Sequence, residues 1–272
     1  MAVRRTRPPA LVLVPALLGI AFLVLPTLGL LIRAPWSGLG HIYSHADSAD
    51  GVDVSAALAL SVQTSLEATV LSVLFGVPLA WVLARVRLPG MAVVRAAVTM
   101  PLVLPPVVGG VALFLALGRR GYVGRYLDEW FGVQLPFSTY GVVIAQTFVA
   151  MPFLVVTLEG AFRSTERGFE EAAATLGASR TRIFTHVTVP LALPSLLAGA
   201  VLCWARALGE FGATVLFGGN VIDRTQTGPT AVLTAFTNNL GDAVALSLPL
   251  MLVAVVVLGA LRDRWLRPLA GA

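Results

Sequence analysis

Apolar residues gather in long blocks parted by short polar stretches, at roughly 10–32, 61–84, 97–117, 139–162, 191–217 and 243–261. A helix needs about 20 mostly apolar residues to cross the hydrocarbon of a bilayer, and each block approaches or exceeds that length. The pattern predicts an all-α polytopic membrane bundle of about six transmembrane helices. The first block follows Arg4, Arg5 and Arg7, as in the charged start of a signal peptide. Its apolar core is longer than the 7–15 residues of such peptides and no small-x-small cleavage site follows, so it reads as a retained first helix.

Composition sharpens this picture. Of the 272 residues 57% are apolar and only 12% charged, where soluble domains carry about 25% charged residues. Such a chain cannot cover its surface in water, and no hydrophilic stretch is long enough for a separate soluble domain. The whole of 1–272 is read as one transmembrane domain. The net charge of +5 comes from arginines scattered in short groups between the apolar blocks, which is a topology signal and not a nucleic-acid face. With the N-terminus in the cytoplasm, thirteen arginines fall inside (4, 5, 7, 85, 87, 95, 163, 167, 180, 182, 262, 264 and 267) and five outside (33, 119, 120, 125 and 224), with Arg206 in the membrane. The positive-inside rule therefore favours an N-in, C-in, multi-pass protein of the cytoplasmic membrane. All nineteen basic residues are arginine, and the absence of lysine excludes a G-x-x-x-x-G-K-[ST] phosphate loop. If ATP drives the protein, another subunit binds it. The single cysteine, Cys203, lies in an apolar block and excludes a disulfide framework.

Proline recurs within the blocks at Pro78, Pro152, Pro194 and Pro249, with a cluster at Pro101, Pro105 and Pro106. Each removes a backbone donor that lipid cannot replace, so kinked helices lining a cavity are expected, most of all at the cluster. Between the fourth and fifth blocks, the loop 164–190 carries Phe169, Ala172, Ala173 and Leu176 at i, i+3, i+4 and i+7, with Glu166, Glu170 and Glu171 largely off that stripe. Gly177 suits a helix C-cap and Ser179 an N-cap for a second short helix with Ile183, Phe184 and Val187 on its apolar side. This predicts a helix-turn-helix lying across the membrane face.

The letters of that loop match a signature of importer permeases in the ATP-binding-cassette superfamily: E-A-A, three residues, G, nine residues, then an aliphatic, any residue, an aliphatic and P. The positions here are Glu171, Ala172, Ala173, Gly177, Val187, Val189 and Pro190, with valines where isoleucine and leucine are usual. A second stretch, A-R-A-L-G-E-F-G-A-T over 205–214 followed by Asn220 and the R-T-Q-T of 224–227, resembles the fifth-helix segment of molybdate permeases. So does M-P-L-V-L-P-P-V-V-G-G over 100–110. Sulfate permeases have a related R-x-x-G-E-[FY]-G stretch. The resemblance covers about 61–265 and implies a type I importer permease that works as two copies of this chain in lipid, with two ATPase subunits and an extracytoplasmic molybdate-binding protein. It implies that Glu171, Ala172, Ala173, Gly177 and Pro190 couple to the ATPase, and that no cofactor is bound here, ATP and Mg being used by the ATPase. A sulfate, thiosulfate or tungstate permease is the near alternative. A membrane-embedded enzyme is the remote one, for which no cluster of acid/base, nucleophilic or metal-binding residues is found.

The candidate pathway or gate comprises Arg206, Gly209, Glu210, Gly212, Pro105 and Pro106. Ala205, Gly209 and Ala213 at i, i+4 and i+8 suggest a small-residue ridge for close helix approach. Arg206 and Glu210, one turn apart, can pair within the helix. Ionisable residues at that depth face the bundle or a watery cavity. The pair is either a structural lock on a gate or a cationic wall for a dianion; the lock is preferred because Glu210 neutralises Arg206 and a pathway must release what it binds. Thr64, Ser65, Gln146 and Thr147 are plausible pore lining, though such groups more often bond across helices, and Glu67 is expected to reach the interface. His41, His45, Asp47, Asp50 and Asp53 imitate metal ligands without a zinc spacing and read as a solvated loop.

Overall fold

The computed structural model describes residues 10–44 and 53–266. Arg4, Arg5, Arg7 and Arg267 lie outside them, and the side chains of His41, His45, Asp47, Asp50, Arg262 and Arg264 are likewise outside the description. The described residues are helical and contain no strand. The order is α1 (Ala10–Ile32), α2 (Leu39–Ser44), α3 (Val54–Arg85), α4 (Met91–Val103), α5 (Pro106–Leu117), α6 (Gly124–Phe131), α7 (Thr139–Ser164), α8 (Gly168–Thr175), α9 (Arg180–Ile183), α10 (Val189–Leu191), α11 (Leu193–Leu208), α12 (Gly228–Asn238) and α13 (Leu240–Leu266). Wider i→i+5 turns occur at Phe184–Thr188, joining α9 to α10, and at Thr214–Gly218.

The six apolar blocks do not all become single rods. The apolar spans of α1, α3, α7 and α13 are each long enough to cross a membrane, and Arg180–Leu191 with Leu193–Leu208 forms a pair bent by 73°. The third block is divided: Leu104 and Pro105 take extended backbone (ψ 130° at each) between α4 and α5. Proline accounts for this, because Pro105 excludes helical geometry at Leu104 and Pro106 supplies the preset φ of a new first turn. Elsewhere Pro78, Pro152 and Pro249 remain inside continuous helices.

The core is built on α7. It packs chiefly against α3 and α11, and the Thr214–Gly218 turn also rests on it. Ala68, Val77, Ala80 and Leu83 of α3, Ala150, Leu154, Val155, Leu158 and Phe162 of α7, and Cys203 and Ala207 of α11 form the main buried cluster. Small residues allow this approach: a Cβ on Gly76 or Gly199 would sit 3.3 Å from Val155 or 3.0 Å from Leu154. Cys203 is a buried apolar filler whose thiol no disulfide claims. At the opposite extreme, α1 has no buried residue in its span.

Candidate functional site

Two helix breaks meet. The fifth block, read from sequence as one span, ends its first helix at Leu208; Gly209, Glu210 and Phe211 are non-helical, and winding resumes at Gly212. The proposed ridge of Ala205, Gly209 and Ala213 is therefore not continuous. Gly209 is exposed beyond the end of α11, whereas Gly212 and Ala213 are buried. The close approach falls to Gly212, where a Cβ would stand 3.0 Å from the Pro106 ring and 3.0 Å from the Val107 nitrogen, and to Gly110, whose Cβ would lie 3.0 Å from the Ala213 Cα. The break after Pro105 and the break at Gly209–Phe211 thus lie side by side, with Gly212 and Pro106 in contact.

A break in a membrane span frees backbone groups that lipid cannot satisfy. Glu210 deals with both its charge and the backbone here. Its carboxylate is buried (side chain 1% exposed), accepts the Ala213 N–H at 2.8 Å through Oε1 and meets the Arg206 guanidinium at 2.5 Å through Oε2. The first contact caps the resumed helix three residues on. The second places a cation in the last turn of α11, where the helix dipole favours it. Arg206 is 27% exposed, so one end of the pair is anchored and the other reaches open space. The two residues pair as their spacing suggested, but not within one continuous helix: Glu210 lies in the break beyond the end of α11.

The polar residues proposed as pore lining divide. Thr64 and Thr147 hydroxyls bond to carbonyls one turn back, while Ser65 accepts the Trp204 indole N–H at 3.0 Å and ties α3 to α11. Gln146 is fully buried with neither amide atom hydrogen-bonded, as is the Thr214 hydroxyl. Glu67 is exposed and accepts from Gln63. In the R-T-Q-T stretch Arg224 is exposed while Thr225, Gln226 and Thr227 are buried: Thr227 and Thr230 make a capping box for α12, and the Gly228 N–H donates to Ser61 at 2.6 Å.

The loop between α7 and α11 takes the expected helix-turn-helix. Gly177 sits at φ 82°. Its N–H reaches the Ala174 carbonyl while that of Ala178 reaches Ala173, the paired bonds of a left-handed helix end. Ser179 accepts the Arg182 N–H as an N-cap. Phe169, Ala172 and Leu176 of the apolar stripe face outward, with Leu176 88% exposed, and Glu171 and Pro190 are exposed beside them; Ala173 is half-buried. The residue that fastens this loop to the bundle is Glu170, which sequence reasoning passed over: it pairs with Arg85 at the end of α3 (3.1 Å) and accepts from the Thr188 hydroxyl (3.0 Å). Trp81 meets Phe184 edge-on at 5.8 Å. Glu159, also missed, is buried and bridges Arg95 of α4 and Arg163 of α7, each at 2.8 Å. A carboxylate inside an apolar block was a legible signal for Glu159. Nothing in the sequence links Glu170 to Arg85, 85 positions away.

Residues 72–269 match the family described as binding-protein-dependent transport system inner membrane component. The chain is 46% identical over 252 residues to the molybdenum transport system permease protein ModB of Mycobacterium tuberculosis, covering 92% of this chain and 93% of that one. It is 40% identical over 210 residues to ModB of Escherichia coli K12, covering 77% and 92%. A crystal structure of a bacterial ABC transporter involved in the import of the acidic polysaccharide alginate superposes with a TM-score of 0.66 at 19% identity over 93% of each chain, a likeness of fold. This chain belongs to the binding-protein-dependent transport system inner membrane component family and has the type I importer permease fold of its members.

Proposed function

We propose that the chain is the membrane permease of an ATP-driven molybdate importer, acting as two copies with two ATPase subunits and an extracytoplasmic binding protein that selects the oxyanion. One observation carries the mechanism: the helical run Arg180–Leu191 leaves the coupling loop, bends by 73° at Ala192 into α11, and α11 ends at the break at Gly209–Phe211. A push on the loop has a rigid path to the Arg206–Glu210 lock. The exposed stripe of Phe169, Ala172 and Leu176, with Glu171 beside it, offers the ATPase an apolar docking face rimmed by charge. Glu170, through Arg85 and Thr188, moves α3 together with the loop. ATP and Mg belong to the ATPase subunits, and this chain contributes no covalent chemistry. The arginine-rich ends of α3 and α7 support a cytoplasmic loop, with N-in and C-in.

The molybdate assignment follows the relatives named for molybdenum transport. Uptake of molybdate and sulfate by cells expressing the permease with its ATPase and binding protein tests it; sulfate uptake without molybdate uptake makes this a sulfate permease. Coupling is tested separately with Glu171→Ala and Gly177→Val, the latter placing a β-branched residue at positive φ. Both are expected to abolish stimulation of ATP hydrolysis by the loaded binding protein. Stimulation at the unmodified level in both variants overturns the coupling role.

A further inference from the structure

At the membrane face that carries the coupling loop, a cavity of about 520 Å³ opens where α3 ends, α4 begins and α7 ends. Five arginines line it (Arg85, Arg87, Arg95, Arg163 and Arg167), and none of its lining residues is acidic. Two carboxylates behind the wall answer part of this charge: Glu159 holds Arg95 and Arg163, and Glu170 holds Arg85. That leaves a surplus of three positive charges on the cavity wall, five arginines less two glutamates. The side chains of Arg87 and Arg167 are exposed and make no hydrogen bond or ion pair among the described residues. The Arg85 side chain is only 8% exposed, yet its Nε–H is buried without an acceptor. A buried donor on the wall of a cationic cavity is unfinished until an anion or water meets it.

We infer that this cavity binds the phosphate of an anionic phospholipid headgroup from the inner leaflet. Three features favour a lipid over a free anion. The cavity lies at the Arg85 end of α3 and the Ser164 end of α7, both long enough to span a bilayer, and headgroups gather where spans end. Its wall also includes Leu83, Leu88 and Met91, with Leu88 60% exposed, so apolar surface adjoins the arginines as glycerol and acyl chains adjoin a phosphate. Arginine forks match phosphate oxygens in pairs, and basic pockets between helices at the cytoplasmic side suit anionic headgroups. A lipid held here bridges α3, α4 and α7, which Arg95 of α4 already joins through Glu159 of α7 and the Leu83 carbonyl of α3. The inference requires this face to be a membrane surface and is independent of which oxyanion is carried.

The test uses the full-length chain in detergent, titrated with equal amounts of dioleoylphosphatidylglycerol and dioleoylphosphatidylcholine and observed by native mass spectrometry. The phosphatidylglycerol adduct is expected to dominate. Arg87→Gln and Arg167→Gln should each lower its retention about fivefold, as expected for the loss of one arginine near an anionic headgroup, with phosphatidylcholine retention and the thermal melt unchanged. Equal retention of the two lipids, or retention unaltered in the double variant, overturns the inference. So does displacement of the lipid by millimolar inorganic phosphate, which would make this a free-anion site. Expulsion of the lipid when the ATPase subunit is added also overturns it, assigning the arginines to an acidic protein surface.

Discussion

Helices α1 and α7 are both apolar and both long enough to span a bilayer, yet they do opposite work. In α7, 61% of the apolar window is buried within the chain, and the faces of α3, α11 and the Thr214–Gly218 turn converge on it; in α1 nothing is buried, and its principal neighbour is α13. Apolar character therefore explains why each enters lipid and says nothing about which one organises the fold. Between helices in lipid the hydrophobic effect gives little preference, so close packing and polar contacts decide. α7 has both: glycines at facing positions, and Glu159 near its C-terminal end. α1 has neither, and where it ends, Leu31 joins Leu39 and Tyr43 of α2 and Leu252 of α13 around a cavity with an apolar surface.

The contrast breaks most readily at the α7-packed helix break. Replacing Arg206 with methionine strands the Glu210 carboxylate in a buried site, at a cost of about 3–5 kcal/mol. The double change Arg206→Met with Glu210→Gln keeps an acceptor for the Ala213 N–H and is expected to recover most of that loss. Glu210→Gln alone should be the milder single change, because Arg206 is 27% exposed and can turn to water. Thermal unfolding in detergent and oxyanion uptake at matched expression measure all three. A benign Arg206→Met would sink the lock, and a benign Glu210→Gln beside it would leave Glu210 as a cap alone.

A purely steric change comes next. Gly218 approaches α7 so closely that a Cβ would lie 2.6 Å from a Val142 methyl and 3.0 Å from its Cα. Gly218→Val should cost about 1–3 kcal/mol, since backbone must shift; full stability in a thermal melt would mean that α7 tolerates displacement as α1 does.

A smaller effect is expected where α3, the main partner of α7, starts. The Asp53 carboxylate caps that helix by accepting the Ala56 N–H at 2.9 Å, which holds its pKa below the usual value. Its stabilisation is complete above the unfolded aspartate pKa of about 3.9 and disappears as pH falls through the depressed folded value. Asp53→Ala should cost about 1 kcal/mol at neutral pH and much less once the native aspartate is protonated. An unchanged difference between the two proteins across that acidic window would show that the carboxylate charge contributes nothing.

The smallest effect belongs to α1. Leu23, 70% exposed, should change the melting of the chain within about 0.5 kcal/mol when replaced by alanine, as surface positions do. A loss comparable with Gly218→Val would mean that α1 is buried by a second copy under the conditions of the measurement.

Sequence alone determined that the chain lies in a membrane, where its apolar blocks fall, and that the loop 164–190 is a capped helix-turn-helix with Glu171, Ala172, Ala173 and Gly177 in a recognisable order. These are local properties: block length, 3.6-residue periodicity and the backbone demands of proline and glycine act over a few turns. The proximity of Arg206 to Glu210 was legible for the same reason. Tertiary structure decided that the Gly209–Phe211 break exists and rests beside the Pro105 break, that Glu170 and Arg85 join loop to bundle, and that five arginines surround one cavity. Apolar blocks are interchangeable in composition and pack by shape, so nothing local tells α7 from α1. Pairings between positions far apart in the chain appear only when the helices have chosen their neighbours.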